Sequence, residues 1–118
     1  VFLFGTRKDV ARFYAIADIF VSTSTIEGFG IAHAEALACG VPVLSTKTAG
    51  PDEMIKEGEN GFFISESAPE AVAEGLEKTV SADLETMRRK AKESIEKYGI
   101  GQTAAAYENL FSDQKSSL

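Results

Sequence analysis

Ser24-Thr25-Ile26-Glu27-Gly28-Phe29-Gly30-Ile31-Ala32-His33-Ala34-Glu35-Ala36-Leu37-Ala38-Cys39-Gly40-Val41-Pro42-Val43 is the stretch on which the reading of this chain turns. Two carboxylates, Glu27 and Glu35, stand eight positions apart, with a glycine-bracketed turn after the first and an apolar helix carrying the second. Gly28 and Gly30 let the backbone come close to a ligand and leave the first N–H groups of the helix unpaired, which suits an anion. Glu35 falls about one turn inside the helix, where a carboxylate can accept hydrogen bonds from sugar or ribose hydroxyls. The helix from about 31 to 39 stops at Gly40, a good left-handed position, and Pro42 prevents it from continuing. Together these features read as a site for a nucleotide sugar.

Strand and helix signals alternate outward from this stretch. Val1-Phe2-Leu3-Phe4 is a continuous apolar run, the mark of a strand buried on both faces. Asp9 is expected to cap a helix whose Val10, Phe13, Tyr14 and Ala17 share one face. Ile19 to Val21 and Pro42 to Ser45 read as the second and third strands. Gly50-Pro51 opens a short helix with Asp52 and Glu53 in its first turn, where the helix dipole favours them. Glu59-Asn60-Gly61 is a turn, and Phe62-Phe63-Ile64 a fourth strand. Ser67 and Glu70 suggest a capping box for a helix to about Val80. A further helix is predicted from Ser81 to about Tyr98, ended by Gly99, and a last one from about Gln102 to Phe111. Such alternation implies a parallel sheet with right-handed crossovers, whose ligands bind beyond the carboxyl ends of the strands. Glu27 to Gly30 follow one strand and Lys47 to Gly50 the next, so the motif residues gather on one edge.

The motifs resemble those of a known family. Ala17-Asp18-Ile19-Phe20-Val21-Ser22, Cys39-Gly40-Val41-Pro42-Val43-Leu44, Ala49-Gly50-Pro51-Asp52-Glu53-Met54-Ile55 and Glu59-Asn60-Gly61-Phe62-Phe63-Ile64 flank the Glu-seven-residues-Glu signature in order. This pattern resembles the donor site of retaining GT-B glycosyltransferases, above all the large family 4 group, over residues 1 to about 112. The fold implied is α/β, a Rossmann-like parallel sheet with flanking helices, here part of the C-terminal domain of a GT-B fold. Residues 1–112 would be that nucleotide-sugar-binding domain, truncated at its N-terminus, and 113–118 a frayed tail.

By this resemblance Glu27 hydrogen-bonds hydroxyls of the donor sugar, orients it and helps stabilise positive charge at the anomeric carbon, which makes it the catalytic candidate. Gly28, Gly30 and Ile31 would offer amides to the diphosphate and sugar. Phe29 belongs to the same donor loop, although a phenylalanine there more often packs than touches ligand. Glu35 would bind the ribose hydroxyls. Arg7, beside the nucleobase, and Lys47, beside phosphate, are further candidates, with plain surface charge the alternative for Arg7. The chain departs from the family where Ala49 replaces the first glycine of a Gly-Gly pair, although Gly50 remains. No cofactor and no divalent metal are expected for donor binding. Read from composition alone, Glu27 is a solvated loop carboxylate and Glu35 an exposed helix residue.

The remaining sequence bounds the function. At 118 residues the chain fits one domain able to bury a core. Twelve basic against eighteen acidic residues give a net charge of -6, which argues against nonspecific nucleic-acid binding. No apolar run approaches the roughly 18 residues of a membrane span, and no signal peptide is visible. Cys39, the single cysteine, cannot form an internal disulfide and is expected to be a buried, inert thiol. His33, the single histidine, is expected to be packed or partly exposed, without metal-binding support. Twelve acidic and six basic residues between 52 and 96 read as a solvated helical face.

The chain begins at Val1, without Met, and is expected to be a piece of something longer. The family's domain opens with further strands and a loop whose Arg and Lys bind the donor diphosphate; these, and the N-terminal acceptor-binding domain, are the missing partners. The fragment is expected not to transfer sugar alone. Tyr107, Leu110 and Phe111 would form an apolar stripe exposed by the absent domain. The parent is placed in the cytoplasm, at the inner membrane face, with peripheral membrane association. Two other readings stay open: another GT-B enzyme, such as an epimerase or phosphorylase, and a noncatalytic nucleotide-binding module.

Overall fold

The computed structural model describes residues 1–99, 101, 102, 104, 105, 108 and 109. Its centre is a parallel sheet of three strands, β1 (Phe20–Ser22), β2 (Val43–Thr46) and β3 (Gly61–Ile64), in the order β1-β2-β3. The register sets Phe20 beside Val43 and Val43 beside Gly61. Helix α1 (Val10–Ile16) precedes β1, α2 (Ile31–Ala38) joins β1 to β2, and α3 (Ala49–Met54) leads from β2 toward β3. Helices α4 (Pro69–Val80) and α5 (Leu84–Ile95) follow, and a 3₁₀ turn covers Glu96–Tyr98.

β2 is buried along its whole length, as a central strand of a covered parallel sheet must be. Successive side chains face opposite sides. Val43 joins Tyr14, Ala36, Leu37, Val41, Met54, Ile55 and Ala91 in one apolar cluster, against α1, α2 and α5. Leu44 joins Phe62, Ile64 and Met87 on the other face, with Val72 and Leu76 of α4 packed against them. Leu37 is fully buried, a burial that favours folding by about 1.5–3 kcal/mol. Gly75 lets α4 lie directly on Leu44, and Gly61 lets β3 approach the Val43 carbonyl.

Several expectations meet a different structure. Val1 to Phe4 form no strand and are exposed; Phe4 only tilts its ring onto Phe13 of α1. A strand buried on both faces needs neighbours to pair with, and the described sheet begins at β1. Asp9 precedes α1 but caps nothing with its side chain, because its carboxylate is engaged by Arg7. The capping box fails as well. Ala68, not Ser67, is the N-cap of α4, Pro69 occupies the first turn, and the Ser67 hydroxyl donates instead to the Thr23 carbonyl at 2.9 Å. α5 starts at Leu84 rather than Ser81, because the Asp83 carboxylate accepts from the Thr86 amide and so sets the helix start. The segment before β3 is a turn, as expected, and β3 pairs in parallel with β2.

Asn60 explains that turn. Its buried amide accepts from the Lys56 N–H and donates to the Met54 carbonyl and to Ser94 Oγ, so a polar side chain in the core is fully used. Of the expected last helix, 101, 102, 104, 105, 108 and 109 are helical, whereas Tyr107, Leu110, Phe111 and the tail 113–118 lie outside the described residues. Among the described residues no helix is long and apolar enough to cross a membrane. The acidic stretch forms exposed ion pairs, Lys78–Glu57, Arg89–Glu93 and Lys90–Glu59, each worth little in water.

Candidate functional site

The sheet's carboxyl edge carries the site. β1 ends at Ser22, and the chain from 23 to 30 crosses to the start of α2. Two side chains hold this crossing by its carbonyls: Thr46 at the end of β2 donates to the Ser24 carbonyl, and Ser67 to that of Thr23. The loop then lies against α3. A Cβ on Gly50 would overlap the carbonyl oxygens of both Gly28 and Phe29, so only glycine lets the two backbones meet. Of the pair Ala49-Gly50, it is Gly50 that makes this approach, and Ala49 stands exposed beside it.

Gly30 is the N-cap of α2 with φ 83°, a left-handed conformation that glycine adopts without strain. The first intrahelical bond runs from the Ala34 N–H to the Gly30 carbonyl at 3.0 Å. The N–H groups of Ile31, Ala32 and His33 thus have no intrahelical acceptor, and no side chain caps them. They carry the positive end of the α2 dipole. Glu27 is half-buried just before this terminus, Gly28 and Ile31 are exposed, and Phe29 sets its ring edge-on to Tyr98 at 5.5 Å between centroids.

Glu35 lies on the second turn of α2, exposed, and its Oε2 accepts from the Tyr14 hydroxyl at 3.2 Å. The same hydroxyl reaches the Ala32 carbonyl at 3.3 Å. Burial first, then the Glu35 carboxylate, pushes the Tyr14 phenol up to about 12, so it remains a donor. Glu35 and Tyr14 line a cavity of about 390 Å³ with Lys8, Val10, Ala11, Ala38 and Cys39. Cys39 is exposed, contrary to expectation. As the C-cap of α2 it turns off the helix, so its apolar sequence neighbours do not enclose it.

The structure brings Glu27, Gly28, Phe29, Gly30, Ile31 and Glu35 onto one loop and helix; Lys47 follows β2 on the same edge, and both Arg7 and Lys47 are engaged in ion pairs. Arg7 forms a two-pronged pair with Asp9 at 2.8 Å and lines a separate hollow with Arg12, Phe13 and Ile16. Lys47 pairs with Asp52 at 3.2 Å and lies over the Phe63 ring. Tyr14 was not among the site residues expected from sequence. Its place in the apolar face of α1 pointed to packing, and nothing local signals a partner 21 residues away. His33 is packed, with 1% of its surface exposed. Among the described residues no group of three His, Cys, Asp or Glu side chains could hold a metal ion.

Comparison with known proteins defines the class. The model of the family "Glycosyl transferases group 1" matches residues 1–100, and the chain belongs to that family. N-acetyl-alpha-D-glucosaminyl L-malate synthase of Bacillus anthracis is 29% identical over 116 residues, which are 96% of this chain and 30% of that protein. This chain thus spans less than a third of that curated relative. A glycosyltransferase from Rickettsia africae superposes with a TM-score of 0.83 at 24% identity, over 93% of this chain and 31% of that one. A protein from Anabaena, solved in complex with UDP, superposes with a TM-score of 0.70 at 27% identity, over 95% of this chain and 31% of that one. The α/β parallel sheet with flanking helices is the fold shared with the Rickettsia glycosyltransferase.

Proposed function

We propose that the protein carrying this chain transfers a sugar from a nucleotide-diphosphate sugar to an acceptor hydroxyl with retention of anomeric configuration, and that this chain holds the donor. The observation that carries the reading is the α2 terminus. A left-handed Gly30 starts a helix whose first three amides have no intrahelical acceptor and no side-chain cap, between two carboxylates at the carboxyl edge of a parallel sheet. In this reading the diphosphate and sugar lie against the amides of Gly28 to Ile31, and the ribose hydroxyls bind the free oxygen of Glu35. Glu27 accepts from sugar hydroxyls and steadies positive charge developing at the anomeric carbon. The leaving phosphate acts as base for front-face attack by the acceptor, and no metal ion is assigned to the step. Acceptor binding and the cations that face the diphosphate are assigned to the rest of the protein. The UDP held by the Anabaena neighbour supports a nucleotide in this fold.

The test titrates UDP, GDP and ADP, then their sugar conjugates, into the full-length protein and its Glu35→Ala variant, read by amide NMR shifts. Selective shifts at residues 28–35, lost in the variant, are expected for one nucleotide. A well-folded protein that shifts with none of them would exclude the donor site, and product analysis separates transfer from epimerisation or phosphorolysis.

A further inference from the structure

His33 has an atom that neither packing nor the donor reading uses. It stands at the third position of α2, with its ring edge-on to Phe20. Its Nε2 lies 2.9 Å from Ser45 Oγ, and that hydroxyl gives its own proton to the Thr46 carbonyl at 2.9 Å. With the Ser45 hydroxyl engaged in this way, we assign the His33 tautomer whose Nε2–H donates to Ser45 Oγ and whose Nδ1 is a bare lone pair. Nδ1 is buried and has no partner. It faces the N-cap of α2: a Cβ placed on Gly30 would lie 3.1 Å from it. A buried acceptor without a donor is disfavoured, and this one lies directly beneath the proposed anion site.

The groups around His33 are few. The loop before α2 contributes Glu27, whose charge favours the protonated ring, while burial outweighs it and holds the pKa below the usual value. From α1 the neutral Tyr14 hydroxyl reaches Ala32 and Glu35, while Arg12 is exposed and lines the hollow with Arg7. α3 packs Pro51 and Met54 on Gly30 and keeps Asp52 and Glu53 exposed. α5 meets the far end of α2, where Lys92 and the Arg88 backbone lie over Gly40. Arg7 and Lys47 are held in ion pairs, and Lys8 lies in the cavity by Glu35.

We propose that binding of a diphosphate at the N-terminus of α2 is coupled to uptake of one proton by His33 Nδ1, the imidazolium then placing positive charge under the donor loop. The inference rests on the donor-site reading above. The proton comes from water and no covalent bond of the ligand breaks. An anion over the loop lowers the cost of a buried cation, just as the buried cation strengthens the anion's binding. His33 is thus a positioning residue that reads the donor's charge through the helix terminus rather than by contact.

The experiment uses the full-length protein and whichever of UDP-glucose, GDP-mannose or ADP-glucose binds most tightly, since their diphosphates do not titrate between pH 5 and 8. Affinity is measured by calorimetry from pH 5.5 to 8 in buffers of different ionisation heat. Wild type is expected to take up a proton on binding, with affinity rising toward about tenfold per unit as pH falls through the coupled range. His33→Gln is expected to lose both the uptake and the slope. On wild type alone, the ¹⁵N resonance of His33 Nδ1 at pH 7 should move from the bare to the protonated position on saturation. A resonance that stays put, or equal proton uptake in His33→Gln, would overturn the coupling while leaving the donor site intact. Binding by none of the three donors, or binding indifferent to Glu35→Ala, would overturn the donor-site reading and this inference with it.

Discussion

The Tyr14 hydroxyl is shared between the Ala32 carbonyl and Glu35 Oε2, at 3.3 and 3.2 Å. It holds one carboxylate oxygen of Glu35 and, in the proposed donor site, leaves the other for the ribose hydroxyls. The net worth of such a bond is about 0.5–1.5 kcal/mol, so Tyr14→Phe should weaken donor binding by roughly 3–10-fold. The ring stays in the core and the freed Glu35 oxygen can turn to water, so stability in urea should fall by no more than about 0.5–1.5 kcal/mol. Unchanged affinity in the variant would mean that Glu35 needs no orientation. Glu27 and Glu35 were readable as a pair because their spacing is local, fixed by one turn and one helix. The Tyr14 contact was not, since it joins two helices through the fold. Cys39 was misread for a related reason: apolar neighbours along the chain do not say which way a helix-ending residue turns.

At the scale of elements, the loop before α2, the proposed donor loop, meets α3 at Gly50 without a side chain between the two backbones. Gly50→Ala must push the carbonyls of Gly28 and Phe29 away, an overpacking that costs about 1–3 kcal/mol and displaces the donor loop. Gly28 is different. A Cβ there meets nothing within 4 Å, and its φ is not in the left-handed region, so Gly28→Ala should change stability by no more than about 0.5 kcal/mol. Urea unfolding of the two variants checks that contrast. If Gly28→Ala then loses donor affinity at native stability, the space above Gly28 belongs to the ligand; full affinity would remove Gly28 from the site. The central elements were legible because each carries its own signal, such as the buried run of β2 or the Gly40 and Pro42 stop after α2. Val1 to Phe4 carry an equally strong apolar signal without a paired neighbour, and pairing is not written in the run itself. Ser67 had a capping pattern, but its hydroxyl found a better-placed carbonyl on Thr23, 44 residues away.

Over the whole molecule, two buried groups on the same face of the sheet set the pH range of stability from opposite sides. His33 titrates below its usual 6.5 in the folded chain, because burial disfavours its charged form. Below about pH 6.5 the unfolded chain therefore binds a proton that the folded chain refuses, and stability falls as pH drops. Tyr14 behaves in the reverse sense, with its phenol raised from 10.0 to about 12 in the fold. Its contribution is complete below pH 10; above that the unfolded chain releases the proton first, and stability is lost as pH rises toward 12. The urea midpoint should accordingly be flat from about pH 7 to 9.5 as far as these two groups govern it, and decline on both sides. Tyr14→Phe should flatten the alkaline side alone, and His33→Gln the acid side alone. Saturating nucleotide sugar should also shift the acid decline to lower pH, because a ligand that favours imidazolium in the fold cancels the proton's preference for the unfolded chain. An acid limb that persists in His33→Gln would assign it to the exposed carboxylates instead, and a limb that ignores the ligand would separate His33 from the donor site.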